Sequence, residues 1–147
     1  MGDEFFVDTN ILVYAFDKTE KQKHKIAQEL IKDVTLGKIK GVVSSQVLGE
    51  LFEALTKKLE CQIEKNTAQL IVNGLIDSVH WKKINYTQNT VSKAINASIA
   101  EKKPFWDSLI AETMVENSVF SILTEDTKDF STNLIKPVNP FKGPQMF

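Results

Sequence analysis

Arginine does not occur in this chain, and all 18 basic residues are lysines. Any contact to a phosphate must therefore use an ammonium, a hydroxyl or amide side chain, a backbone N–H or a metal ion, never the bidentate guanidinium fork. Cysteine is nearly absent as well. Cys61 stands alone, which excludes an internal disulfide, and with only His24 and His80 as histidines no zinc-ligating cluster can be assembled. Cys61 is expected to be a packed or half-exposed thiol. No apolar run approaches the ~20 residues of a membrane span, and no basic start, apolar block and small-residue cleavage site opens the chain. A cytoplasmic protein without a membrane partner is expected. Charge of one sign is also missing. A net charge of −1 does not announce a strong nucleic-acid binder, although an acidic site loaded with divalent metal would invert the local field. The two histidines offer no convincing Ser-His-Asp set.

What is present is a 147-residue chain with 42% hydrophobic and 25% charged residues, suited to one domain around one core. Residues 4–7 form a short apolar run that stops at Asp8 and reads as a buried strand. Residues 11–16 start a short helix. Over residues 21–34 the apolar positions Ile26, Ala27, Leu30 and Ile31 recur at helical spacing. A second strand is expected at 41–44. Ser45 is the expected N-cap of a helix running to about Lys58, and another helix is expected over 63–76. Residues 79–84 suit a strand, and Thr87 caps a helix that ends near Lys103, with Pro104 as the break. Residues 107–117 are helical, 119–123 a strand and 126–130 a turn or short helix. Residues 135–138 suit an edge strand, because Pro137 lacks a ladder donor. The tail after Pro140 is expected to be loose. Alternating strands and helices imply an α/β fold with a mostly parallel sheet, all in a single domain over residues 1–147.

Such sheets place their sites at the carboxyl ends of the strands. Asp8 ends the first strand and Asp126 follows a late one. Asp107 opens a helix, and Glu50 lies about one turn into the helix after the second strand. Singly, each has an ordinary role as a helix cap, a first-turn acid or a solvated side chain. Together they gather at one edge. Four clustered carboxylates raise one another's pKa unless a cation lies between them, and oxygen-only ligands suit Mg²⁺ or Mn²⁺. A site of that kind activates water and neutralises charge on a phosphodiester without a nucleophilic side chain.

Residues 6–17, 44–51, 106–111 and 123–130 carry these acids within longer motifs, and 138–141 adds a closing strand. In order and spacing they strongly resemble the PIN-domain family, most closely its VapC-type toxin ribonucleases. The resemblance covers nearly the whole chain. It implies a three-layer fold with a five-stranded parallel sheet in the order 3-2-1-4-5, flanked by helices, and usually a homodimer. It implies a metal-dependent endoribonuclease that cleaves RNA with metal-activated water. Asp8 would be a principal metal ligand and Asp107 its chief partner, with Glu50 and Asp126 completing the catalytic quartet. Asn10 and Thr124 fall where the family often has polar groups that orient ligands or water; turn and cap chemistry is their equal alternative. Asp129 lies in the same motif and is a less favoured ligand. Glu53 is expected to face solvent or a lysine, and Asp17 to end the first helix. Phe105 and Trp106 are bulkier than usual there, and core or dimer contacts are expected of them ahead of base stacking. Lys18, Lys21, Lys23 and Lys25, with His24, read as the solvated side of a helix. For a cognate antitoxin the resemblance implies an apolar groove; core burial is expected of Phe16, Leu51, Phe52 and Leu55 ahead of lining it. The alternatives are a non-toxin PIN nuclease, a catalytically silent RNA- or protein-binding PIN module, and a phosphatase or receiver with an Asp after its first strand. The last two leave Glu50 unexplained.

Overall fold

The computed structural model describes residues 3–132 and 134–142. Five parallel strands build the sheet: β1 (Glu4–Val7), β2 (Lys40–Ser44), β3 (Trp81–Ile84), β4 (Ser121–Leu123) and β5 (Lys136–Val138), in the order β3-β2-β1-β4-β5. The 3-2-1-4-5 order expected from the resemblance is the observed one. β1 is central, and Phe6 and Val7 are fully buried, as a strand covered on both faces requires. β5 is an edge strand, where Pro137 leaves no ladder donor missing.

The helices are α1 (Thr9–Tyr14), α2 (Lys21–Thr35), α3 (Ser45–Glu53), α4 (Lys65–Asp77), α5 (Gln88–Glu101), α6 (Phe105–Glu116) and α7 (Thr127–Phe130). A π turn, Ala54–Lys58, continues α3. Several expected boundaries shift. The N-cap of α3 is Ser44, not Ser45: its hydroxyl accepts from the Val47 N–H at 3.2 Å. The third strand starts at Trp81, and Val79 is left 91% exposed. Thr87 does cap α5, its N–H donating to Thr90 Oγ1 at 3.0 Å. The tail expected to be loose is pinned at its start, where the Phe141 ring meets the Tyr14 ring edge-on at 5.2 Å between centroids; residues 143–147 lie outside the described residues. Cys61 is exposed rather than packed. Among the described residues, no helix is long and apolar enough to cross a membrane.

Gly41 in β2 is required by a close approach. A Cβ there would stand 2.8 Å from Trp81 Cζ3 and 2.8 Å from Val34 Cγ1, both buried. Gly41→Ala is therefore expected to destabilise the fold by about 1–3 kcal/mol through overpacking. A thermal melt checks it, and an unchanged midpoint would contradict this packing.

Candidate metal centre

The register of the sheet brings the first two candidates together. Val7 in β1 pairs with Leu123 in β4, so Asp8 and Thr124, one residue further on, lie side by side. The Asp8 N–H donates to the Leu123 carbonyl at 3.0 Å and extends the ladder by one step. Asp8 is also the N-cap of α1, where its Oδ1 accepts from the Thr9 N–H at 2.8 Å. Its Oδ2 accepts from the Thr124 hydroxyl at 2.7 Å. The helix-cap role weighed for Asp8 is therefore present, and it leaves the second carboxyl oxygen to Thr124.

The other acids are placed by equally specific partners. Glu50 is not a solvated helix side chain: its Oε1 accepts from the Thr9 hydroxyl at 2.7 Å and its Oε2 from Gln46 Nε2 at 3.3 Å. Asp126 accepts from Asn10 Nδ2 at 3.1 Å, while its own N–H donates to Thr124 Oγ1 at 3.0 Å. Asp107 is the third residue of α6, inside the first turn rather than at the cap. Asp129, the less favoured candidate, lies near enough to Asp107 to help raise that carboxyl. Asn10 thus bonds Asp126 and Thr124 bonds Asp8, while the Thr124 oxygen also closes the turn to the Asp126 N–H, the alternative weighed for it. Thr9 and Gln46 were not among the candidates. Their chain positions, one residue after Asp8 and one turn before Glu50, were the available signal.

Asp8, Glu50, Asp107 and Asp126 all line one open cavity of about 1320 Å³. Two of their carboxyls are strongly perturbed. Burial pushes Asp8 up to about 6, against the Thr124 and Thr9 hydrogen bonds, with the charges of Glu50 and Asp126 adding to the rise. Burial likewise lifts Asp107 to about 7, reinforced by the Asp8 charge, by the hydrogen bond and charge of Asp129, and by Asp126. Among the described residues, no three His, Cys, Asp or Glu side chains stand close enough to enclose an ion as they are placed. The donor set nevertheless fits a hard divalent cation. It is all oxygen, its carboxylates repel one another, and Asn10 and Gln46 each keep a buried amide oxygen without a hydrogen-bond partner.

The surroundings correct two expectations and bear out a third, the burial of Leu51 and Leu55. Trp106 is 58% exposed, not core, its ring edge-on to Phe105; its carbonyl accepts from Gln46 Nε2 at 3.3 Å. Lys23 is not simply solvated. Its Nζ donates to Glu125 Oε2 at 2.7 Å and lies 5.0 Å from the Tyr14 ring centroid, while the Tyr14 hydroxyl donates to Glu125 Oε1 at 2.7 Å. His24 bonds the Tyr14 carbonyl at 2.9 Å. Lys18, Lys21 and Lys25 are exposed. Leu51 and Leu55 are buried in the core, and Phe52 is the member of the suggested groove set that lines the cavity. Asp17, just beyond α1, accepts from the Thr19 N–H and hydroxyl, and Glu53 pairs with Lys57 at 3.0 Å.

Thr124 is fully buried and serves two partners at once. Thr124→Val would leave Asp8 Oδ2 and the Asp126 N–H without them, a loss of about 1–3 kcal/mol. Thr124→Ser is expected to restore most of it; equal melting temperatures for the valine variant and the parent would refute the role.

Residues 5–132 match the family model of the PIN domain. The chain belongs to the PIN-domain family. Its fold is shared with VapC20 of Mycobacterium tuberculosis, described as a sarcin-ricin loop cleaving toxin (TM-score 0.67, 18% identity, 86% of this chain and 92% of that one). It is similar also to a chain of a toxin–antitoxin complex from Klebsiella pneumoniae (0.64, 17%, 92% and 97%). A third likeness is to VapBC2 from Rickettsia felis, bound to a DNA fragment from its promoter (0.62, 18%, 92% and 98%). No curated protein matches the chain.

Proposed function

We propose that the protein is a divalent-metal-dependent endoribonuclease of the VapC type, with Asp8, Glu50, Asp107 and Asp126 as its catalytic and metal-binding carboxylates. The observation that carries this reading is the pair of raised carboxyls, Asp8 and Asp107, on the wall of one open cavity with two further acids. Burying mutually repelling carboxylates is costly, and a bound cation offsets that cost. Mg²⁺ or Mn²⁺ held there would neutralise charge on a phosphodiester and make water more acidic.

The chain's own groups divide the work. Thr9 and Thr124 hold the two Asp8 oxygens in fixed directions, and Asn10 holds Asp126. Asp8 and Asp107 are the principal cation ligands. Glu50, fixed by Thr9 and Gln46, would accept a proton from water as the water oxygen bonds to phosphorus. The bond from phosphorus to the 3′-oxygen breaks, and the leaving oxygen takes a proton from solvent to give a 5′-phosphate and a 3′-hydroxyl. Asp129 lies near enough to help keep a proton on Asp107, and cation binding displaces that proton. The likeness to toxin chains of toxin–antitoxin complexes supports a cognate antitoxin as partner, and the family resemblance supports a homodimer.

The test is cleavage of a panel of structured RNAs by purified protein, with Mg²⁺, Mn²⁺ or chelator. Metal-dependent endonucleolytic products are expected. RNA that binds tightly in chelator and is never cut with metal would instead support the silent binding module.

A further inference from the structure

The geometry points to Lys58 as a phosphate-binding residue for a single RNA strand, seated in the cavity beyond the acids and contacting a phosphate other than the scissile one. This rests on the ribonuclease reading above. Six acids line the cavity, and Lys58 is the one basic side chain among the described residues on its wall. Lys58 is exposed and has no hydrogen bond or ion pair within the described residues. Gln69 and Asn73, one turn apart on α4, line the same cavity and add amide donors.

The π turn decides which lysine points there. In an uninterrupted α-helix, at about 100° per residue, Lys57 falls about 20° from the direction of Glu50 and Lys58 about 80° away. A π turn advances only about 80° per residue. Crossing Ala54–Lys58 in that geometry, closed by the Leu59 N–H to the Ala54 carbonyl at 3.3 Å, swings Lys58 back onto the Glu50 side. Lys57 is turned away and is found paired with Glu53 at 3.0 Å. The wider turn thus places an unpaired cation on the helix face that carries Glu50, about 11 Å further along the axis. In a chain without arginine, and in a cavity whose other charges repel a polyanion, that ammonium is the available anchor for the strand.

The test uses the full chain and a labelled, mixed-sequence RNA oligonucleotide, bound in Ca²⁺ to slow cleavage and cut in Mg²⁺. Lys58→Ala is expected to weaken binding about fivefold at moderate salt and to reduce the slope of log affinity against log salt by about 0.7, one single-strand phosphate contact. KM should rise to match while kcat stays within about twofold, because the contact is remote from the acids. Lys58→Arg should retain binding, and Lys57→Ala should bind as the parent does. Unchanged affinity and slope for Lys58→Ala, equal losses for the two alanine variants, or no RNA binding by the parent would each overturn the proposal. Binding that depends on Lys58 without cleavage in Mg²⁺ would uphold the subsite and defeat the nuclease reading.

Discussion

Asp8→Asn is expected to abolish metal-dependent RNA cleavage, by about 10³-fold or more, and yet to raise the melting temperature of the metal-free protein at pH 8. The two effects share one cause. The parent carboxylate is 6% exposed and stands near the charges of Glu50 and Asp126, so its charged form is disfavoured in the fold. A carboxyl moved from 3.8 to about 6 costs about 3 kcal/mol when charged above both values. The amide removes that cost and still accepts from the Thr9 N–H. It cannot accept from Thr124, which takes back part of the gain. A net rise of about 3–6 °C is the expected outcome for a chain of this size. Functional loss follows because an amide is neutral and binds a hard cation far more weakly than a carboxylate. Calorimetry in chelator and a cleavage assay in Mg²⁺ measure the two sides separately. Full cleavage by the variant would refute the assignment of Asp8, and a large fall in melting temperature would show that the carboxylate stabilises the fold rather than strains it.

Metal-free protein is expected to lose stability as pH rises from about 4 to 8, and Mg²⁺ to restore it only at the upper end. Asp8 and Asp107 have folded-state pKa values above their unfolded ones, at about 6 and about 7. The folded chain therefore binds more protons than the unfolded chain between roughly pH 4 and 7, and the associated stability is lost as pH climbs through that window. Two other carboxyls act in the opposite sense. The Thr90 and Lys93 hydrogen bonds hold Glu116 below the ordinary range. Burial pushes Glu125 up, but its bonds to Lys23 and Tyr14 and the charges of Lys23 and Lys142 outweigh it and leave the carboxyl lowered. Their contribution is lost as pH falls below about 4.5, so stability in chelator is expected to peak near pH 4. At pH 8 the acids are charged and a cation binds them; at pH 5 it must first displace their protons. Saturating Mg²⁺ should raise the melting temperature by several degrees at pH 8 and scarcely at all at pH 5. A Mg²⁺ shift of equal size at both pH values would contradict ligation by these two carboxyls.

The features readable in the sequence were those written locally. The apolar run at 4–7, the helical periodicity at 21–34 and the cap at Thr87 each depend on neighbours a few residues away, and each element forms where expected. The strand order came from the family likeness, since periodicity says nothing about which strands pair. What stayed hidden depends on distant partners or on small backbone choices. Thr9 reaches Glu50 across 41 residues, and Lys23 reaches Glu125 across 102. The π turn differs from an α-helix by one hydrogen bond's reach, and no residue type announces it. Ser44 and Ser45 are identical side chains, so only the observed bond to Val47 separates them as caps. The core half of the reading of Trp106 fails because bulk alone suggests burial, while its place in the first turn of α6 leaves it exposed in the single chain.

The central position of β1 has a consequence for the order in which the candidate site is assembled. Asp8 is translated well before its partners, yet it is held by Thr124, just past β4, and Asp107 and Asp126 follow it by about a hundred residues or more. A nascent chain would thus hold an incomplete set of acids until β4 docks beside β1. Chains halted before Thr124 should neither gain heat resistance from Mg²⁺ nor nick RNA.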